Sequence, residues 1–548
     1  MTQSIRIWLY CYAYVFVITA HITPIVGLQT QKGIINGQET QYSIEYLGIQ
    51  YAKINRWKWK PPIDLASDMF PNGSFSATSF GPCCPQRDAG LYIPMQDEQC
   101  LNLNIFTPKV TVNQSLLPVL VWIRGGGLQS GCSSQSIPRI YNGTNIIARS
   151  LQQQPVIVVT INYRLGVLGD MYLLELAEEN SSEWPTAGNY YYLDMLSALR
   201  WINRNIRDYG GNPSNVLLFG ESSGANAVVD LGALKGSSNL YQHVISQSGG
   251  AGNSEMTLAC LRNSSIENLV TAYGDRQTKP IVDGYFFPFY PPTAIEKGKY
   301  NQNLTIMLGN NDYEHPLCFQ APDMNSTDAL SILIQSIGQR WAPLVADQFQ
   351  VKNCSSNRNA KNRCCNVLRL LLMNKLFDCN VRRIYNNLYS KYGPQKNLFW
   401  FHFDCNPGIC PQLPVEGSGL CTHTAEIPYV FGTVSTYYST ESLNCTWDNQ
   451  SQIFSNQVIS HWVNTATTGK PLNQWPYYDP SMLKYFYITP YQDFAAVSWN
   501  GSCSIFDQIE QEEISYMFKN KSSSYYKNID TIIFFVLPFS FLFFFFYK

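Results

Sequence analysis

The chain has 548 residues, a formal net charge of −1 and 14% charged residues. A nearly neutral chain without a basic cluster is not built to bind nucleic acid, so we expect no nucleic-acid partner. The sequence has no Walker loop, dinucleotide fingerprint or paired Cys-x-x-Cys, and therefore predicts neither a cofactor nor a metal site. Length alone would favour three or four domains, but no internal repeat or proline-rich linker interrupts the middle of the chain.

The N-terminus is typical of a secretory signal peptide. Arg6 precedes an apolar stretch over residues 7–20, and cleavage is expected between Ala20 and Gly27. We therefore assign residues 1–27 to a signal peptide. Passage through the secretory pathway also agrees with twelve N-x-S/T sequons. Their asparagines are Asn72, Asn113, Asn142, Asn180, Asn263, Asn303, Asn325, Asn353, Asn444, Asn449, Asn500 and Asn520.

A glycine loop follows a clear buried strand. Residues 119–123 (VLVWI) are an apolar run that leads into Arg124 and three consecutive glycines at positions 125–127. Glycines leave backbone N–H groups unshielded, which suits a hole that binds an oxyanion. An ordinary glycine turn after a strand is the alternative interpretation.

The most informative pattern follows a second apolar run at residues 156–160 and a helix. Residues 216–219 are apolar, residues 220–224 read G-E-S-S-G, and residues 225–229 can continue as a helix. This is the context of a G-x-S-x-G nucleophile elbow with Ser222 at its tip. Only glycine fits beside so sharp a turn, because a side chain would collide with the neighbouring strand or helix. The order of elements predicts an α/β hydrolase, in which an acid and then a histidine follow the serine.

These features, with several further motifs, resemble the type-B carboxylesterases of the cholinesterase/carboxylesterase family. The motifs extend over most of the chain and occur in the family's order. They are Y-L-G-I-Q-Y-A at 46–52, E-Q-C-L-N-L-N at 98–104, N-Y-R-L-G at 162–166, G-G-N-P at 210–213, Q-S-G at 247–249, V-D-G at 282–284, E-I-P-Y-V-F-G at 426–432 and W-P-Y at 475–477. The resemblance implies an α/β-hydrolase fold in which residues 28–515 form one large domain. A central, mostly parallel twisted sheet would be flanked by helices.

The resemblance assigns a catalytic triad of Ser222, Glu314 and His423. The family's acid is a glutamate five residues after a glycine that ends a strand, and Glu314 has this spacing from Gly309. The family's base is the histidine of an H-G-x-E motif, which reads H-T-A-E at residues 423–426 here. A solvated Glu314 on a surface loop and a His423 that only packs or caps are the alternatives.

The resemblance also implies which groups support the triad. The backbone N–H groups of Gly126, Gly127 and Ser223 would form the oxyanion hole. Glu221 lies beside the nucleophile and would tune the electric field of the gorge. Ser248 would steady the acid, although a plain packing role is an equally good interpretation.

The implied activity is hydrolysis of small carboxylic esters through an acyl-enzyme. Choline-binding members of the family carry a tryptophan about ten residues before the cysteine that Cys100 matches, and residues 86–99 contain none. A general carboxylesterase is therefore favoured over an acetylcholine-specific enzyme. The alternatives are a catalytically weak or inactive cell-surface adhesion protein with the same fold, and a lipase, for which no lid pattern is evident. The presence of all three triad residues favours catalysis.

Three departures from the family's pattern affect the expected pocket. Arg124 replaces the usual His or Tyr, and either brings a charge to the pocket entrance or points to solvent. Leu128 replaces an aromatic residue and would widen that wall. Only ten residues separate Gly249 from Cys260, where the family has several tens, so a helical piece beside the site is expected to be missing.

The 16 cysteines of a secreted chain are expected to form mostly disulfides. The resemblance implies the pairs Cys84–Cys100 and Cys379–Cys503. Cys11 lies in the signal peptide, which leaves an odd number, so at least one thiol is free or bonds to another chain. The sequence leaves the other pairings open.

Residues 516–548 are expected to form a spacer and a hydrophobic anchor signal. The apolar stretch at 531–547 is shorter than the roughly 20 residues of a spanning helix. Small residues at 520 and 522–524, followed by a polar spacer, favour a GPI-attachment signal. A single membrane span and a buried tail are the alternatives. We expect a protein on the extracellular face of the plasma membrane, or secreted, as a monomer or homodimer.

Overall fold

The computed structural model describes residues 24–55, 59–87, 93–109, 115–135, 139–179, 185–249, 280–315, 317–394, 397–405, 421–433, 447–472, 475–490 and 494–519. Most of the predicted signal peptide lies outside these residues. The same is true of the anchor signal beyond Lys519 and of the shortened segment that follows Gly249.

One large sheet runs through the described chain. Its strands are β1 Ile25–Thr30, β2 Gly33–Glu39, β3 Ser43–Gln50, β6 Ser74–Ser76, β7 Asn102–Pro108, β8 Leu117–Ile123, β9 Ile157–Ile161, β10 Gly211–Glu221, β11 His243–Gln247, β12 Thr305–Asn311, β13 Leu398–Phe403, β14 Lys484–Ile488 and β15 Ala495–Ser498. They are ordered β1-β2-β3-β7-β9-β8-β10-β11-β12-β13-β14-β15, and β6 pairs with β2. The short strands β4 Ala52–Lys53 and β5 Ile63–Asp64 form a separate pair.

The middle of the sheet is parallel from β9 to β14. The edges are antiparallel, at β15 and at β1, β2, β3 and β7. Parallel strands are covered on both faces, so both sets of their side chains are apolar. The central strands therefore coincide with the continuous apolar runs of the sequence. Their carboxyl ends meet at one edge, where ligands of open α/β sheets bind. The glycine loop after β8, the elbow after β10 and Glu314 after β12 all reach this edge.

Helices cover both faces of the sheet. They are Thr144–Ser150, Gly166–Asp170, Leu174–Glu178, Tyr190–Asn205, Ser223–Asp230, Pro291–Glu296, Leu317–Gln320, Ser326–Gln348, Cys364–Met373, Cys379–Tyr392, Ile427–Phe431, Asn449–Thr468 and Ser504–Lys519, with a π-helical turn at Asn374–Asp378. Alternation along β8 divides the core in two: Val121 faces the cluster that contains Trp201, and Trp122 faces the one that contains Trp462. Burial of each such large side chain stabilises the fold by about 2–3 kcal/mol.

Six disulfides lie in the described chain. They are Cys83–Cys132, Cys84–Cys100, Cys318–Cys365, Cys354–Cys364, Cys379–Cys503 and Cys405–Cys421. Both pairs implied by the family resemblance are among them. Cys260, Cys410 and Cys445 lie outside the described residues.

The folded domain extends beyond the expected boundaries of 28 and 515 at both ends. Residues Ile25, Val26 and Gly27 belong to β1 and pair with Gln38, Gly37 and Asn36 of β2. The final helix continues to Lys519. Among the helices that the structure describes, none combines the length and the apolar character needed to cross a membrane.

Candidate active site

Ser222, the predicted tip of a nucleophile elbow, lies on a sharp turn between a strand and a helix. Ser222 lies between β10 and the helix Ser223–Asp230 with φ 55° and ψ −123°, a conformation that a non-glycine residue rarely adopts. A Cβ atom at Gly220 would lie 2.6 Å from the carbonyl oxygen of Ile123, and one at Gly224 would lie 2.1 Å from it. The two glycines let the turn pass against β8, and the strain is held by its surroundings. One restraint is the Ser222 N–H, which donates to the Gln247 carbonyl at 2.9 Å.

The glycine loop passes directly over this turn. A Cβ atom at Gly125 would lie 2.9 Å from the Ser222 Cβ, so a side chain there would displace the nucleophile. Gly126 and Gly127 have φ of 104° and 63° and are exposed to solvent. The Gly126 carbonyl accepts the N–H groups of Gln129 and Ser130 at 2.9 and 3.0 Å, which closes the loop into a tight turn. Gly126 and Gly127 thus lie in an exposed turn that directly follows the residue packed against Ser222.

Glu314 and His423 form a short hydrogen bond. Glu314 follows β12 and is fully buried; its Oε2 lies 2.6 Å from Nδ1 of His423, and its Oε1 accepts the N–H of Asn311 at 2.7 Å. The backbone N–H of His423 also donates to the Glu314 carbonyl at 3.3 Å. A carboxylate can only accept, so Nδ1 carries a proton and Nε2 is the atom at which His423 gains or loses its other proton. The structure therefore brings together Glu314 and His423, the two residues to which the family resemblance assigns the roles of acid and base.

The second ring nitrogen of His423 faces the elbow. Its Nε2 lies 3.1 Å from Oε1 of Glu221, the residue before Ser222, in a contact that is close but not aligned as a hydrogen bond. Glu221 is only 2% exposed. The Glu221 carboxyl group thus contacts the His423 ring directly, whereas the sequence implied only an effect on the electric field of the gorge.

The charges of the site are strongly coupled. Burial alone would lower the pKa of His423, but Glu221 and Glu314 outweigh burial and raise this pKa to about 9. Burial raises the pKa of Glu221 well above its ordinary value, against the opposing effect of His423. Glu221 and His423 therefore compete for one proton. When Glu221 holds it, His423 is neutral and can act as a base.

A third buried glutamate, Glu426, connects the elements of the site. Its Oε1 accepts from the Gln247 amide at 3.0 Å and its Oε2 from the Asn311 amide at 2.6 Å. The indole N–H of Trp462 donates to Gln247 at 3.1 Å. Burial, followed by the charge of Glu314, raises the pKa of Glu426. Glu426 ends the histidine motif of residues 423–426, and its spacing of three from His423 was the one sequence signal for its place in this site.

The supporting serines have different environments. The Ser223 hydroxyl accepts the backbone N–H of Leu128 at 3.1 Å and so ties the elbow to the end of the glycine loop. Ser248 is buried, with φ 57°, and its N–H donates to the Gly309 carbonyl at 2.7 Å. Within the described part of the chain, the Ser248 hydroxyl has no hydrogen-bond partner. The structure thus favours the packing interpretation of Ser248.

The segment that carries the base is anchored to β12 and β13. The disulfide Cys405–Cys421 joins it to the residues that follow β13. The Cys421 carbonyl accepts the N–H of Tyr313 at 3.2 Å, and the Thr422 carbonyl accepts the amide of Asn311 at 2.8 Å. Among the described residues, no cluster of His, Cys, Asp or Glu is arranged to hold a metal ion.

Arg124 differs from both sequence-based expectations. Its side chain is 0% exposed and lies inside the protein, neither at the pocket entrance nor in solvent. Burial is possible because the guanidinium donates to two loop carbonyls and lies over the ring of Tyr163, 4.5 Å from its centroid.

A twisted parallel sheet, a serine on a strained elbow and a carboxylate-bound histidine define a serine hydrolase of the α/β-hydrolase class. The chain belongs to the carboxylesterase family, whose sequence profile matches residues 23–257 and 250–506.

Two similar proteins indicate the range of this family. Over 493 residues the chain is 28% identical to para-nitrobenzyl esterase of Bacillus subtilis, a match that covers 82% of this chain and 92% of that protein. Over 532 residues it is 36% identical to acetylcholinesterase-1 of Trittame loki, with 84% and 89% covered. A solved structure of PNB esterase matches the fold with a TM-score of 0.68 at 24% identity, covering 88% of this chain and 99% of that one.

Proposed function

We propose that the chain hydrolyses small carboxylic esters through an acyl-enzyme formed on Ser222. The observation that carries this proposal is the 2.6 Å bond between Glu314 and Nδ1 of His423, with Nε2 turned toward the Ser222 elbow. Such an arrangement fixes the tautomer that can take a proton from a serine hydroxyl.

In the first half of the reaction, the Ser222 Oγ attacks the ester carbonyl carbon and its proton passes to Nε2 of His423. The carbonyl π electrons move to the oxygen, which becomes the oxyanion of a tetrahedral intermediate. The oxyanion re-forms the carbonyl, the bond to the leaving alkoxide breaks, and His423 gives its proton to that alkoxide. In the second half, water repeats the attack with His423 as base, which releases the acid and restores Ser222.

The oxyanion would accept the backbone N–H groups of Gly126, Gly127 and Ser223. Loss of one such donor typically costs about 3–4 kcal/mol of barrier, so the loop contributes almost as much as the triad. Ser223 begins a helix whose N-terminal end carries partial positive charge and favours an anion.

The substrate is proposed to be a small ester without a requirement for choline, because residues 86–99 lack a tryptophan. Para-nitrobenzyl and carboxyl esterases among the similar proteins support this class. We also propose that the protein acts outside the cell, held at the membrane by its C-terminal tail or a GPI anchor. The disulfides support an oxidising compartment.

A fluorescent fluorophosphonate probe tests the proposal on the intact secreted protein, with Ser222→Ala as the matched control. We expect the parent to be labelled and to hydrolyse p-nitrophenyl acetate, and the variant to do neither. A folded parent that is not labelled would reject the esterase and favour the adhesion protein.

A further inference from the structure

Arg124 is a buried cation directly beneath the glycine loop. Its Nη1 donates to the Ser130 carbonyl at 2.6 Å and to the Gly125 carbonyl at 3.1 Å. These two carbonyls lie at opposite ends of the turn that contains Gly126 and Gly127. One guanidinium therefore joins the two ends of the turn, as a clamp behind it.

The clamp acts on the peptide unit that presents one proposed oxyanion donor. The Gly125 carbonyl and the Gly126 N–H belong to the same planar trans peptide, so they point in opposite directions. Because the carbonyl points inward to Arg124, the N–H points to the other side of the loop, where Gly126 is exposed. The Arg124 cation on the Gly125 carbonyl also polarises this peptide. Its N–H group therefore becomes a stronger hydrogen-bond donor, since linked hydrogen bonds strengthen one another.

The charge of Arg124 is not neutralised by a nearby carboxylate in the described chain. Its Nε and Nη2 atoms are buried without a hydrogen-bond partner there, and the guanidinium lies over the Tyr163 ring. The Tyr163 hydroxyl donates to the Arg124 carbonyl at 2.7 Å, which fixes the backbone at the start of the loop. A buried unpaired charge destabilises a protein, and such costs are concentrated at functional sites.

We propose that Arg124 is a positioning residue of the oxyanion hole, which orients and polarises the Gly125–Gly126 peptide. The proposal rests on the esterase function proposed above. It predicts that the arginine acts when negative charge develops on the substrate oxygen, and contributes little to binding of the uncharged ester.

The test compares Arg124→Gln and Arg124→Lys with the parent, using p-nitrophenyl acetate and an aryl trifluoromethyl ketone. The ketone forms a tetrahedral oxyanion on the serine, so its Ki reports on the hole. Active sites are counted with the fluorophosphonate probe, so that kcat refers to folded enzyme only. Arg340→Gln, at an arginine whose side chain is 73% exposed and pairs with Glu512, is the control for loss of an arginine in general.

We expect Arg124→Gln to lower kcat and weaken ketone binding by similar factors of about 10–100, with KM within about threefold of the parent. Arg124→Lys keeps the charge but loses the planar guanidinium. We expect it to lower kcat and to raise the Ki of the ketone, each by about 3–10-fold. Arg340→Gln should match the parent.

The proposal would be overturned if Arg124→Gln left both the kcat per titrated site and the Ki of the ketone unchanged. A change in KM alone would also overturn it. If Arg124→Gln is not secreted, Arg124→Lys decides: parallel losses support the role, and parental values reject it. A parent that neither labels nor hydrolyses the ester would instead reject the proposed esterase.

Discussion

Nε2 of His423 lies 3.1 Å from Oε1 of Glu221, the residue that precedes Ser222. The base is thus placed between two carboxyl groups, with Glu314 on its other nitrogen. Each ionised carboxylate favours the charged imidazolium, which cannot accept a proton from Ser222. The ionisation of Glu221 therefore sets the pH range in which the base is competent.

Substitution of Glu221 by Gln should shift the pH profile of the enzyme. Without this carboxylate the pKa of His423 falls from about 9 toward its ordinary value of 6.5. The acid limb of kcat/KM, where His423 must lose its proton, should move to lower pH by about one unit or more. The measurement is kcat/KM for p-nitrophenyl acetate between pH 5 and 10, with exposed Glu178→Gln as control. An acid limb that stays in place would contradict a direct effect of Glu221 on the base.

Replacement of Glu314 by Gln should remove most of the activity and leave the fold intact. A glutamine can present its N–H₂ to Nδ1 and so favour the tautomer with the proton on Nε2, which cannot act as a base. We expect kcat to fall about 10³–10⁴-fold with little change in KM, as for other triads that lose the acid. Steady-state kinetics and circular dichroism check both parts. A loss below tenfold would mean that another group orients His423.

Much of the fold, and the positions of the residues proposed for the triad, could be predicted because the relevant signals are local. The apolar runs predict the central strands and the elbow motif predicts Ser222, whereas Glu314 is implied by the family resemblance, through its five-residue spacing from Gly309. Ser222 and Glu314 lie at the same edge of the sheet because β10 and β12 run parallel and their carboxyl ends meet there. These inferences need only neighbours in the chain.

The supporting contacts could not be predicted, since they join distant segments. The hydrogen bond from Gln247 to Glu426 joins residues 179 positions apart, and no pattern in either segment predicts it. The pairing of Cys83 with Cys132 is likewise one of many connectivities that a cysteine-rich sequence allows. The burial of Arg124 was missed because arginine is usually exposed unless it is paired.

Gly224 should be among the least replaceable residues of the elbow. A Cβ atom there would lie 2.1 Å from the Ile123 carbonyl oxygen and 2.5 Å from that of Arg124, which are both rigid backbone atoms. We expect Gly224→Ala to abolish probe labelling and to reduce secretion or lower the melting temperature strongly. Gly210→Ala is a matched control: its φ is 84° but its Cβ position is open, so it should cost only about 1–2 kcal/mol. If Gly224→Ala and Gly210→Ala lowered the melting temperature equally, the backbone around Gly224 would have to accommodate a methyl group without loss of stability.

The buried histidine His402 should make stability depend on alkaline pH. His402 lies between two carboxylates, with Nε2 2.9 Å from Asp378 and Nδ1 3.2 Å from Asp312, and it stacks on the ring of Tyr485. Burial lowers the pKa of His402, but the two aspartates outweigh it and raise this pKa to about 9. Because the folded-state pKa is above the unfolded value of 6.5, the stabilisation is complete below pH 6.5 and is lost as pH rises through 9.

The expected contribution at low pH is of the order of 2–3 kcal/mol. His402→Gln removes this titration, so the difference in melting temperature between parent and variant should be largest at pH 6 and shrink by pH 9.5. The measurement is thermal unfolding of both proteins at several pH values across this range. Subtraction of the two curves cancels the other groups that titrate, including His423. A difference that stays constant with pH would show that His402 is neutral in the folded protein and contributes only through packing against Tyr485.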